Sequence, residues 1–142
     1  MVLFASRQKR FEGDIQKEYA WLFEDFAGHI VPKKRYKQVL DYVEATVAVG
    51  DLLFEFVRGN GDFHVNVAPS HSPNDCVEFG KAIDLARNAE QSRKPPVQMS
   101  DFQRLFEANL EALKVYFSKE AYERSKRWRN LPSNLPKLPN SW

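Results

Sequence analysis

Leu52 to Pro69 reads LLFEFVRGNGDFHVNVAP, and this stretch decides the fold. Leu52, Phe54 and Phe56 alternate with Leu53, Glu55 and Val57, the period of two that sends successive side chains to opposite faces of a strand. After Gly59-Asn60-Gly61-Asp62 the alternation resumes, with Phe63, Val65 and Val67 on one side and His64, Asn66 and Ala68 on the other. Glycine and asparagine tolerate the positive φ angles of tight hairpin turns, so the two runs pair antiparallel. Pro69, which lacks an N–H for a ladder, ends the second run.

Upstream, Val39 to Val49 supports two readings. Val39, Leu40 and Val43 fit a helical turn, whereas Val43, Ala45, Val47 and Val49 alternate as a strand does. The strand is preferred for the C-terminal half, with helix or strand both open over residues 39–44. Gly50-Asp51 then turns the chain into Leu52. The result is a three-stranded antiparallel meander with one apolar and one mixed face.

Helical stripes flank the meander. Ile15, Tyr19, Leu22, Phe23, Phe26 and Ile30 lie on one face of a helix, with Asp14 as N-cap and Gly28 as stop. Pro32 and the basic run Lys33 to Arg35 read as an exposed connection. Ser72-Pro73-Asn74-Asp75 resembles a helix start, opening a buried face of Cys76, Phe79, Gly80, Ile83 and Ala86. After a break at Arg93 to Val97, Ser100 to Gln103 opens the stripe Phe102, Leu105, Phe106, Leu110, Leu113 and Phe117. That helix either continues towards Trp128 or restarts at Ser118. Prolines 132, 136 and 139 mark residues 131–142 as an extended tail.

These elements predict one α+β domain over residues 1–130: an N-terminal helix, the meander, then two or three helices packed on one face of the sheet. Phe23, Phe26, Phe54, Phe56, Val65, Phe106 and Leu113 are its expected core. The composition agrees, since 142 residues with 43% hydrophobic, 28% charged and eleven Phe suffice for a single core.

Charge and cysteine usage narrow the function. The net charge of +2 is divided unevenly, +4 from Lys119 onward and −2 before it. So small a total does not imply nucleic acid or an acidic membrane as partner. Cys76 is the sole cysteine, which removes intrachain disulfides and cysteine-based zinc sites and favours a reducing, cytoplasmic location. The apolar patch Val2 to Ala5 is shorter than the roughly seven residues that a secretion signal needs. No stretch approaches the roughly 20 apolar residues of a membrane span.

No catalytic constellation is legible. His29, His64 and His71 show no paired spacing such as HxxxH, and isolated histidines are ordinarily surface or turn residues. Gly59-Asn60-Gly61 lies inside a hairpin, where it does not fit a phosphate-cradling loop between strand and helix. Cys76 reads as a small core thiol. The expectation is therefore a non-enzymatic protein without metal or cofactor. Two groups of residues could bind a partner: the polar hairpin face, with Glu55, Arg58, Asp62, His64 and Asn66, and the basic segment Arg124, Lys126, Arg127, Trp128 and Arg129, where cations beside an aromatic suit phosphates and stacked bases. Each also has an ordinary explanation, as a solvated sheet face and as a helix end favoured by the dipole.

The order helix, meander, helices, together with Glu18 to Phe26 (EYAWLFEDF) and Leu52 to Pro69, resembles small bacterial immunity proteins of polymorphic toxin systems. The resemblance covers residues 14–89. It implies a non-catalytic protein that binds and blocks a cognate toxin made by the same cell. Many members that neutralise nucleases are markedly acidic, and the slightly basic charge here departs from that pattern. The alternative is a nucleic-acid-binding accessory protein that uses the basic C-terminal segment.

Overall fold

The computed structural model describes residues 2–32, 42–59, 61–87 and 98–123. Helices α1 (Val2–Glu18) and α2 (Ala20–Glu24) precede strands β1 (His29–Val31), β2 (Tyr42–Val49), β3 (Leu52–Gly59), β4 (Asp62–Pro69) and β5 (Val77–Glu78). Helix α3 (Phe79–Ala86), a 3-10 turn at Met99–Asp101 and helix α4 (Phe102–Tyr116) follow. The strands form one antiparallel sheet in the order β1-β2-β3-β4-β5. The fold is α+β, with a sheet of five strands where the sequence indicates three.

The two additional strands are the sheet edges. With three and two residues, they are too short for a period of two to show in the sequence. Ile30, assigned above to a helical stripe, sits in β1 opposite Val47. The central hairpin is as read: Gly59 pairs with Asp62, and Gly61 has the positive φ, 75°, that such a turn requires. The chain is strand from Tyr42 onward, and residues 39–41 lie outside the described residues.

Neighbours cover β2 on both faces, so every residue from Val43 to Val49 is buried, Glu44 and Thr46 included. Its outer edge is paired by β1 only as far as Thr46, opposite Val31. One step beyond, the side chain of Gln8 takes the place of a strand. Its Oε1 accepts from the Glu44 N–H at 3.1 Å and its Nε2 donates to the Glu44 carbonyl at 2.5 Å. A primary amide offers the same donor and acceptor as a peptide group, which is why glutamine can extend a ladder.

This contact explains why α1 begins well before the stripe that starts at Ile15. Gln8, Phe11 and Ile15 are buried at spacings of three and four residues, so the packing face extends upstream and Asp14 is a mid-helix residue instead of an N-cap. The helix breaks at Tyr19 and α2 ends at Glu24. In the following turn the residue with positive φ is Ala27, at 55°. Gly28 serves a different need. A Cβ there would lie 2.9 Å from the Leu22 carbonyl oxygen and 3.1 Å from Cγ1 of Val47, so only glycine lets the turn lie against β2.

Ser72 to Asp75 forms a closed turn and starts no helix. Ser72 Oγ donates to Asp75 Oδ2 at 2.5 Å, showing how the local bonding that suits these residues to caps also stabilises a turn. The cap of α3 is Glu78, whose carboxylate accepts from the Lys81 N–H at 3.1 Å. Cys76 thus precedes the helix and is exposed, while Phe79 and Ala82 carry the buried face. Ser100 likewise falls in the 3-10 turn, and Asp101 at the N-cap of α4 makes no side-chain cap bond. After α4 the chain restarts at Ser118, whose carbonyl accepts from the Tyr122 N–H at 2.8 Å, with residues 119–123 helical.

The helices meet the sheet through aromatic rings. Phe106 lies 5.1 Å from Phe54, and Phe102 lies 5.6 Å from Phe56 and 4.9 Å from Phe79, measured between ring centroids. Trp21 and Phe26 approach Phe106 from α2 and the turn after it, at 5.1 and 5.0 Å. Phe54, Phe56, Val65, Phe106 and Leu113 are buried as expected, whereas Phe23 and Phe26 remain partly exposed at the rim. Arg87 fastens α3 to α4: its Nε donates to Asn109 Oδ1 and its Nη2 to the Ala108 carbonyl at 2.9 Å. Asn109 is itself buried, and its Nδ2 donates to the Leu105 carbonyl at 2.8 Å. The break at 93–97, the tail at 131–142 and the segment Arg124 to Arg129 lie outside the described residues.

Phe106→Ala should cost about 3–5 kcal/mol in urea unfolding, because the ring is wholly buried and touches three elements. Loss of less than about 1 kcal/mol would show that the site collapses without a cavity. Gly28→Ala, which adds one methyl group, should cost about 1–3 kcal/mol, since the atom it meets is backbone and cannot rotate away. An unchanged midpoint for that variant would refute the close approach.

Candidate functional site

Antiparallel register assembles a polar row across the sheet. Thr46 of β2 pairs with Glu55 of β3, Glu55 with Asn66 of β4, and Asn66 with Glu78 of β5, while Val31 of β1 closes the other end. Side chains of directly paired residues share a face, so this row stands on the side opposite Phe54, Phe56 and Val65. Asn66 Nδ2 donates to Glu55 Oε1 at 3.4 Å.

One step along the strands, Glu44 and His64 flank Val57 on the same side. The Tyr42 hydroxyl donates to Glu44 Oε2 at 2.7 Å. Burial, and then this bond to a carboxylate, hold the phenol above its ordinary pKa. At the hairpin end the Asp62 carboxylate lies 3.7 Å from His64 Nδ1, beyond hydrogen-bond reach, with side chains 77% and 33% exposed. Among the described residues that nitrogen has no hydrogen-bond partner.

Glu55, Asp62, His64 and Asn66, four of the hairpin residues singled out in the sequence, therefore share one face. Arg58 does not. Its even number places it with Phe54 and Phe56, across from Phe63, and its guanidinium lies over the rings of Phe11 and Phe63 at 5.1 and 5.4 Å. The basic segment Arg124, Lys126, Arg127, Trp128 and Arg129 lies outside the described residues.

Concavities lie on both sides of the sheet. On the polar side a recess of about 210 Å³ is lined by Thr46, Leu53, Glu55, Ala68, Pro73 and Cys76, among others. Although Cys76 as a residue is exposed, loss of water around its thiol raises the pKa, and the Glu55 carboxylate raises it further. The protonated thiol is a poor nucleophile. On the other side a cleft of about 470 Å³ opens between α1 and the end of the β3–β4 hairpin, lined by Arg7, Arg10, Phe11, Asp14, Val43, Arg58 and Gly61. Sequence reasoning missed this grouping. Arg7, Arg10 and Asp14 are spaced three and four apart, a signal that becomes visible only once α1 is known to start upstream of Ile15.

The remaining histidines stand apart. His29 is exposed in β1, and His71 Nε2 lies 3.0 Å from the Phe117 carbonyl oxygen, tying the turn after β4 to the end of α4. Among the described residues no cluster of three His, Cys, Asp or Glu side chains is arranged to hold a metal ion. No described helix is long and apolar enough to cross a membrane.

A raised thiol pKa leaves less thiolate at any given pH, so alkylation of Cys76 by iodoacetamide should rise with a midpoint above that of free cysteine. Glu55→Gln removes a neighbouring negative charge and should shift the midpoint down. A native midpoint at or below the free value would contradict this electrostatic account.

No protein-family model matches the chain, and neither a curated protein nor a solved structure matches it.

Proposed function

We propose that this chain is a non-catalytic domain that recognises a protein partner, in the concrete form that the resemblance implies: neutralisation of a cognate toxin. What supports the reading is the row of Glu55, Asn66 and Glu78, half-buried polar groups drawn from three strands and set in fixed register by the sheet. Spacing imposed by backbone ladders needs little further ordering when a partner docks, which favours affinity. Asp62 and His64 continue this surface to the hairpin end. Its accessible carboxylates, Glu55, Asp62 and Glu78, suit a partner whose matching surface is basic.

The alternative, nucleic-acid binding through Arg124, Lys126, Arg127, Trp128 and Arg129, rests on residues outside those described. An acidic sheet face gives phosphate no purchase and would repel it.

The decisive partner is the product of the open reading frame beside this one, since a toxin and its immunity protein are made together. The purified pair should form a stable complex that suppresses the partner's toxicity. Glu55→Lys and Asn66→Ala should each weaken it about tenfold or more, as central interface substitutions do. Removing residues 130–142 and changing Arg124, Lys126, Arg127 and Arg129 to Gln should leave it intact. Submicromolar RNA or DNA binding at about 0.15 M salt, lost on those four changes, would favour the alternative instead.

A further inference from the structure

The cleft between α1 and the hairpin end has the opposite electrostatic sign to the polar face. Arg7, Arg10 and Arg58 line it against one carboxylate, Asp14. Among the described residues neither Arg10 nor Arg58 has a carboxylate within ion-pair distance. Guanidinium groups that line one cleft repel one another, and an anion seated between them lowers that cost.

The arrangement is also ordered in advance. Arg58 leaves the core side of β3 at the strand's end, and its guanidinium is held over Phe11 and Phe63. Those rings meet edge to face at 6.3 Å. Contact with two rings holds the head of Arg58 in place while leaving N–H groups to donate to a phosphate or carboxylate. Arg10 projects from α1, on the other side of the cleft. Phe11 and Val43 supply apolar lining, and Asp14 adds an acceptor for a hydroxyl or amine. At about 470 Å³ the cleft falls within the roughly 300–1,000 Å³ of small-molecule sites.

We infer that this cleft binds a small, multiply charged organic oxyanion of the phosphomonoester class, its phosphate held by Arg10 and Arg58 and its hydroxyl-bearing body directed towards Asp14. A carboxylate has two oxygens and suits one fork, whereas a phosphate dianion offers acceptors to more than one fork. The site lies on the side of the sheet away from the polar row, so it does not depend on that row meeting a protein.

Isothermal titration of the full chain with inorganic phosphate, ribose 5-phosphate and AMP, against sodium chloride at equal ionic strength, tests the assignment. Saturable binding is expected, tighter for the phosphomonoesters than for inorganic phosphate. Arg10→Gln and Arg58→Gln should each weaken it about tenfold or more, the usual loss for a charge-assisted bond. Arg104→Gln, on α4 and paired with Asp101, should change nothing. Because Arg58 packs on two rings, Arg58→Lys provides a second reading: it keeps the charge and stem, loses the fork and should bind with intermediate affinity. Arg10 is exposed, so Arg10→Gln reads the site without disturbing the core. The assignment is overturned if no phosphomonoester saturates the protein by about 10 mM, a very weak affinity for any specific site. It is equally overturned if Arg10→Gln and folded Arg58→Gln both bind as the native chain does. Should these two changes abolish binding of a protein partner while phosphomonoesters never bind, the cleft belongs to a protein interface and the small-ligand assignment fails.

Discussion

The interlock of Phe102 and Phe106 with Phe54 and Phe56 is the contact on which the rest of this structure depends. Two rings one helical turn apart on α4 meet two rings one pleat apart on β3, with centroids 5.1 and 5.6 Å apart. Each buried side chain of this size contributes about 1.5–3 kcal/mol relative to exposure, and edge-on packing adds somewhat more. Trp21, Phe26 and Phe79 then pack against the same pair of α4 rings, so α2, the turn after it and α3 are all placed by reference to α4. The placement of α4 on the sheet thereby governs where α2 and α3 can lie.

A second constraint operates at the edge of β2. Burying that strand on both faces removes its backbone from water, and any peptide group left without a partner would carry a large desolvation cost. β1 satisfies part of the outer edge, and Gln8 satisfies the next position by imitating a peptide group. The same bonds fix the position of α1 along the sheet. Phe11 is thereby set against Phe63, and the α1 arginines come to lie beside Arg58. A requirement of backbone hydrogen bonding thus has an electrostatic outcome at the surface.

The sheet consequently separates two surfaces of opposite character. On one side the ladder spaces carboxylates, an amide and an imidazole at the intervals of paired strands. On the other, beyond the last buried ring of β3, Arg58 emerges at a position that would have joined the core had the strand been covered further. Its parity was legible all along: residues 54, 56 and 58 alternate together, so Arg58 belongs with the phenylalanines although its charge suggests the polar face.

Sequence alone determined the central hairpin and, Arg58 apart, the two faces of β3 and β4, because a period of two and a Gly-rich turn are local properties set by neighbours a few residues away. It determined α4 for the same reason, through a stripe whose phenylalanines are unambiguous. The edge strands, the length of α1 and the location of Cys76 were decided by tertiary structure. Strands of two or three residues have no period of their own and exist only where a longer strand offers its edge. The first turns of α1 are held by a bond to Glu44, 36 residues away, and by a ring contact to the hairpin. Ser72 to Asp75 carries the residues of a helix cap, but the same hydroxyl and carboxylate bond to each other in a turn, and local chemistry does not choose between the two. Arg7 and Arg10 meet Arg58 only because α1 is docked across the sheet, a juxtaposition that sequence spacing does not encode and that packing alone creates.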